Sequence, residues 1–261
     1  MLSYQHGFHA GNRADVLKHA VLDALLRHVG ALGKPVLHME THSGRGRYNL
    51  RGEQASKTGE ADEGVVALLG AAPWPKPLRP WLSLVETETL ERYPGSPALA
   101  RLRLGDDGRL ILFEKHPTEF DVLSKHHADD RAVQVKKADG YSGSLKVQPR
   151  KGEAQIVFSD PSYETIRDMD ELAEWTPKAL TRWPAAMVVL WLPLFKDERE
   201  AEFGAYLSEL EDGVIAGARW PSPVDKDTAL SGSAIVAYRV PQAVRAEALS
   251  IASTLNSVWG G

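Results

Sequence analysis

The chain has 261 residues, 43% of them hydrophobic and 25% charged, which suits one large domain with a full core. Its net charge of −4 argues against binding nucleic acid by bulk electrostatics while leaving room for a local basic groove, and the absence of cysteine removes disulfides, thiol nucleophiles and zinc–thiolate sites. The N-terminus lacks the basic and apolar regions of a signal peptide and no run approaches the ~20 apolar residues of a membrane span, so a soluble, cytoplasmic protein is expected.

Residues 1–14 are polar and are expected to form a mobile arm. Asn12 and Asp15 resemble a capping pair, and Leu17, Val21, Ala24, Leu25, His28, Val29 and Leu32 follow at helical spacing, with Gly30 and Gly33-Lys34-Pro35 closing the element. Val36 to Glu40 reads as a short strand. The turn that follows, with Gly44-Arg45-Gly46, opens either a nucleoside-binding βα unit or an ordinary connection. Residues 51–92 break the alternation and read as a mainly helical insertion within the same domain. A helix is expected over Pro97 to Arg103, a strand over Arg109 to Glu114, a helix over Pro117 to His127 and a strand over Ala132 to Val135. Ile156, Val157 and Phe158 form a buried strand that stops at Asp160-Pro161-Ser162-Tyr163. Helices over Met169–Leu180, Phe195–Leu210 and Val244–Val258, with strands over Met187–Leu192 and Ser233–Tyr238, complete an α/β fold with a mostly parallel sheet.

Glu40, Glu114, Asp139 and Asp160 all stand at or just beyond predicted strand ends, so they are expected to line one crevice at the carboxyl edge of the sheet. Glu114 is placed to accept both hydroxyls of a ribose, and Asp139 to accept from an adenine amine beside Gly140, where backbone approaches closely. The Gly-x-Gly-x-x-Gly pattern is incomplete, since Asn49 takes its third position, and there is no Gly-Lys-Ser/Thr phosphate loop. An acidic crevice without a phosphate cradle fits S-adenosylmethionine better than NAD or ATP. The Asp160 motif itself has two readings: a carboxylate, a rigid carbonyl and a flat ring that together hold a planar base, or a helix cap followed by a shaped turn.

The run Ser3-Tyr4-x-His6-x-Phe8-His9-Ala10-Gly11-Asn12-x-Ala14-Asp15-Val16-Leu17-Lys18-His19 resembles the N-terminal signature of the RlmJ (YhiR) family of bacterial 23S rRNA adenine-N6 methyltransferases. The likeness continues through Thr41-His42-x-Gly44-x-Gly46-Arg47-Tyr48, Tyr93-Pro94-Gly95-Ser96-Pro97, Glu114-x-His116-Pro117, Lys137-Ala138-Asp139-Gly140 and Asp160-Pro161-x-Tyr163, and is weaker beyond Glu164. It implies a Rossmann-like class I S-adenosylmethionine-dependent methyltransferase fold with a small helical insertion. Cofactor contacts would fall on His19, His42, Ser96, Glu114, Asp139, Gly140 and Asp160, with Asp160, Pro161 and Tyr163 catalytic. Tyr4 would meet the RNA from the mobile arm. A monomer acting on 23S ribosomal RNA, without metal or membrane, is the implied state.

The family's motif is Asp-Pro-Pro-Tyr, and here Ser162 replaces the second proline; Glu40 stands where the family has Asp. A non-catalytic RNA-binding protein, its turnover lost through Ser162, is therefore the alternative reading. Arg13 and Lys18 are candidates for phosphate contact, and Arg45, Arg47, Arg51 and Lys57 for the RNA path. A zinc site on His6, His9 and His19 is a rival that matches no compact zinc spacing.

Overall fold

The computed structural model describes residues 5–164, 166–221 and 230–260. Helix α1 (Arg13–Gly30) starts where the Asn12 side chain accepts from the Asp15 amide at 2.9 Å, the capping pair read from the sequence. Every residue from Ala14 to Leu26 is buried, so this helix has protein on all sides. Strand β1 (Val36–Glu40) follows, and after the glycine turn β2 (Arg47–Tyr48) pairs antiparallel with β3 (Tyr93–Pro94). Between those two short strands the chain is helical: α2 (Glu53–Thr58), a π-helical turn (Asp62–Val66), α3 (Ala67–Gly70) and α4 (Arg79–Glu88), whose Trp81, Leu82 and Val85 are buried.

Alternation then resumes with α5 (Ser96–Leu104), β4 (Gly108–Glu114), α6 (Pro117–His126), β5 (Val133–Lys137), α7 (Gly140–Ser144), β6 (Ala154–Ser159), α8 (Ile166–Arg182) and β7 (Met187–Phe195). The chain ends in α9 (Ala201–Glu209), β8 (Val214–Arg219), β9 (Leu230–Tyr238) and α10 (Gln242–Trp259). Seven strands form one sheet in the order β5-β4-β1-β6-β7-β9-β8, in which β9 alone runs against the others. Because strand side chains alternate, each face carries its own core. Val36, Leu110, Ile156 and Phe158 face α1, α5 and α10, whereas Leu37, Met39, Phe113 and Val157 face α7 and α8.

Two sequence expectations change near the C-terminus. The helix expected over Phe195–Leu210 is confined to α9, because β7 continues to Phe195, which pairs with Leu230 of β9, and Glu198 turns the chain with φ of 54°. Strand β8 is absent from the sequence reading. Its Ala216, Gly217 and Ala218 carry little strand propensity, but their small size lets α10 pack on it, and Asn256 of α10 bonds to both Gly217 O and the Arg219 amide.

Candidate active site

Register along the strands decides which acids reach the cavity: Glu40 stands level with Leu112 and Phe158, two residues inside Glu114 and Asp160. His38 and Glu40 lie on the same face of β1 as Val36, toward α5, and both are fully buried. Glu40 accepts from His38 Nε2 at 2.7 Å and from Ser96 Oγ at 2.9 Å. Burial raises its pKa against the lowering by those two partners. Glu40 therefore stands behind the crevice rather than in it, which corrects the expectation of four acids lining one wall. Glu114, Asp139 and Asp160 do line it.

The loop after β1 is stitched to both neighbouring strands, with the Thr41 amide donating to Phe158 O and the Ser43 amide to Phe113 O. Gly44 and Gly46 take φ of 59° and 82°, which aims the Gly44 amide at Glu114 Oε2, 2.8 Å away. The His116 amide donates to Glu114 Oε1 at 2.6 Å, so two backbone N–H groups fix this carboxylate. Asp139 caps α7 by accepting from the Ser142 amide at 2.8 Å. Burial pushes the Asp139 carboxyl up, but the Ser142 bonds and the Lys115 charge hold it below its ordinary value. At Gly140 an added Cβ would stand 1.8 Å from Thr41 O. Gly140→Ala should thus destabilise the protein by about 1–3 kcal/mol through overpacking. The Thr41 loop on the cavity wall must also shift; denaturant unfolding and amide hydrogen exchange of the variant check both.

On the other side of β1, Ile156 and Phe158 point toward α1, and one further step of the alternation brings Asp160 to the same helix. Lys18 Nζ lies 2.6 Å from Asp160 Oδ2 and 2.8 Å from Asp15 Oδ1, and is only 3% exposed. Asp15 Oδ2 in turn accepts from the Gly11 amide at 2.9 Å and sits 2.9 Å from His6 Nε2. Burial would lower the Lys18 pKa, but the two carboxylates carry it above its ordinary value. Lys18 is thus an internal counter-ion, not the phosphate contact that the sequence suggests. It also lies over the Trp191 ring, 5.2 Å from the centroid.

His19 Nδ1 is 2.9 Å from the Tyr93 hydroxyl, and burial lowers its pKa to about 3. His42 contacts Thr41 Oγ1 at 2.8 Å and meets the Tyr141 ring edge-on, and burial lowers it to about 4. Both rings are neutral at pH 7. A histidine with its folded pKa depressed takes up a proton on unfolding below pH 6.5, so its contribution to stability falls as pH falls from 6.5 toward 3 for His19. Between pH 5.5 and 4 the wild-type protein should lose about 1.4 kcal/mol per pH unit more than His19→Gln, measured by urea unfolding.

Most of these groups, though not His38, Glu40 or Tyr93, line a cavity of about 620 Å³. Its lining includes His19, His42, Ser96, Glu114, Asp139, Gly140, Asp160, Pro161 and Tyr163, each proposed from the sequence; Tyr4 lies outside the described residues. Among the lining residues that sequence reasoning misses are Asp15, Thr41, Ser43 and Trp191. Asp15 belongs to the N-terminal motif, which is a usable signal, whereas nothing local marks Trp191. Arg45, Arg47, Arg51 and Lys57 are each paired with a carboxylate, on Glu119, Glu88, Glu91 and Glu53 respectively, which offsets the positive charge expected of an RNA path. His6, His9 and His19 go to three different partners, Asp15, Glu60 and Tyr93.

The cavity opens where the chain connects from β1 to β4 on one side and β6 lies on the other, the switch point of the parallel sheet. Its volume suits a nucleoside cofactor. The Ser43 hydroxyl on its wall is buried without a hydrogen-bond partner among the described residues, and a lining rich in carboxylates, Glu114, Asp139 and Asp160 among them, favours a cationic ligand over a pyrophosphate. The fold and site define a Rossmann-like, S-adenosylmethionine-dependent methyltransferase of class I. The sequence profile of the ribosomal RNA large subunit methyltransferase D, RlmJ family matches residues 33–260, and the chain belongs to that family. It is 35% identical over 198 residues to Ribosomal RNA large subunit methyltransferase J of Escherichia coli, covering 74% of this chain and 71% of that protein. The protein of the same name from Haemophilus influenzae is 34% identical over 199 residues, with the same coverage. A crystal structure of a Legionella pneumophila protein superposes with a TM-score of 0.86 at 28% identity, covering 96% of this chain and 94% of that one.

Proposed function

We propose that this protein methylates the N6 amine of an adenine in 23S ribosomal RNA. The observation that carries the reading is the Asp160-Pro161-Ser162-Tyr163 turn at the cavity end of β6, with its carboxylate anchored by Lys18. The names of the curated relatives, large-subunit ribosomal RNA methyltransferases, support the substrate class.

Glu114 would hold the cofactor's ribose hydroxyls with the lone pairs left by the Gly44 and His116 amides. Asp139 and Gly140 would meet its adenine, and His19, His42, Ser96 and Asp160 its remaining groups. When bound, S-adenosylmethionine supplies an electrophilic methyl group on a sulfonium. The chain's own work is done on the substrate amine, whose lone pair is delocalised into the adenine ring. The Lys18 bond occupies Asp160 Oδ2, and Oδ1 has no partner among the described residues. Asp160 Oδ1 and the Pro161 carbonyl would each accept one N6–H, orienting the nitrogen and stabilising positive charge as it develops. The Tyr163 ring would stack on the base after it leaves its helix, replacing stacking worth about 1–3 kcal/mol. The whole chain acts in this reading as one domain with a helical insertion, and Tyr4 of the N-terminal arm contacts the RNA.

The test is transfer of labelled methyl from S-adenosylmethionine to 23S rRNA transcribed in vitro. Recovery of the label as N6-methyladenosine is the expected result. Label on another atom overturns the proposal. No label, with cofactor binding intact by calorimetry, would select the non-catalytic alternative.

A further inference from the structure

The turn that carries the chemistry lacks one of its two expected prolines, yet it holds an unfavourable conformation. Tyr163 has φ of 49°, in the left-handed region that non-glycine residues rarely enter. Something outside the turn must maintain it. The Tyr163 hydroxyl donates to Trp191 O on β7 at 2.6 Å, and the two rings meet edge-on with centroids 5.4 Å apart. Trp191 is itself fixed. Its indole N–H donates to Ser233 Oγ on β9 at 2.8 Å, and the Lys18 ammonium that binds Asp160 lies over its face. The first and last residues of the Asp160–Tyr163 turn thus both connect to Trp191, one through Lys18 and the other directly.

We propose that the Tyr163 hydroxyl is a tether that gives the turn the rigidity its second proline would otherwise supply. Tyr163 is then a positioning residue through its hydroxyl, as well as a stacking partner through its ring; the catalytic consequence rests on the function proposed above. A proline at 162 would stiffen the turn through the backbone. The Ser162 amide donates no hydrogen bond among the described residues, so Ser162→Pro removes none. Tether and proline are two ways to meet one need, and they should substitute for each other.

The experiment is a double-mutant cycle on the full chain with Tyr163→Phe, Ser162→Pro and the pair. The first readout is hydrogen exchange at the amides of Asp160, Tyr163 and Glu164, which does not depend on activity. Tyr163→Phe should speed exchange roughly tenfold beside Ser162 and less than about twofold beside a proline. The second readout is methyl transfer. There kcat should fall roughly tenfold in Tyr163→Phe with KM for RNA unchanged, and most of that loss should be absent in the pair. Equal acceleration of exchange in both backgrounds, or none in either, overturns the tether. Coupled exchange in a protein that methylates no adenine would leave the tether standing and remove the proposed reaction.

Discussion

Asp160→Ala is expected to lower single-turnover methyl transfer by about 10²–10³-fold, the loss typical of deleting one preorganised group aimed at developing charge. RNA affinity should stay within about twofold, since the carboxylate meets one amine of a large ligand. The residue's setting explains the size of the effect. Its carboxylate is 16% exposed, one oxygen is bound to Lys18, and burial raises its pKa against the lowering by that lysine. Water that fills the space left by alanine has no fixed orientation and cannot replace it. A variant turning over near the wild-type rate would remove Asp160 from the mechanism.

Lys18→Met is expected to cost about 3–5 kcal/mol of folding stability, because it strands the buried Asp15 and the partly buried Asp160, which share one cation. Asp15 shares that cation but has a second partner in His6. Burial works to raise its pKa, yet His6 and Lys18 together hold it well below the ordinary value. Adding Asp15→Asn to Lys18→Met should recover part of the loss, since one stranded charge is then gone. Denaturant unfolding of the two variants measures both effects. A loss below about 1 kcal/mol for Lys18→Met would show that neither acid needs the lysine. The same variant should also lose activity even where it is folded, since Asp160 is then free to rotate.

Much of the site is legible in the amino-acid sequence. Acids at strand ends and a Gly-x-Gly turn after the first strand mark the edge of the sheet where the cavity lies, although Glu40, one of the four acids, stands outside its lining. The helical segment between Tyr48 and Tyr93 is legible too, since Trp81, Leu82 and Val85 repeat at the helical period. Strand β8 is not, because its residues are small and its conformation is imposed by β9 and α10.

By itself, then, the sequence determined the alternation of strands and helices, the position of the Asp160 turn at a strand end, and the family motifs that line the cavity. Only the tertiary structure decided what each charged group does there. Lys18 finds Asp160 across 142 residues of chain, and the buried Glu40 accepts from Ser96, 56 residues away. Local periodicity encodes which face of an element is buried. Which charges then meet on that face depends on how distant elements pack, and a single window of sequence carries no record of that.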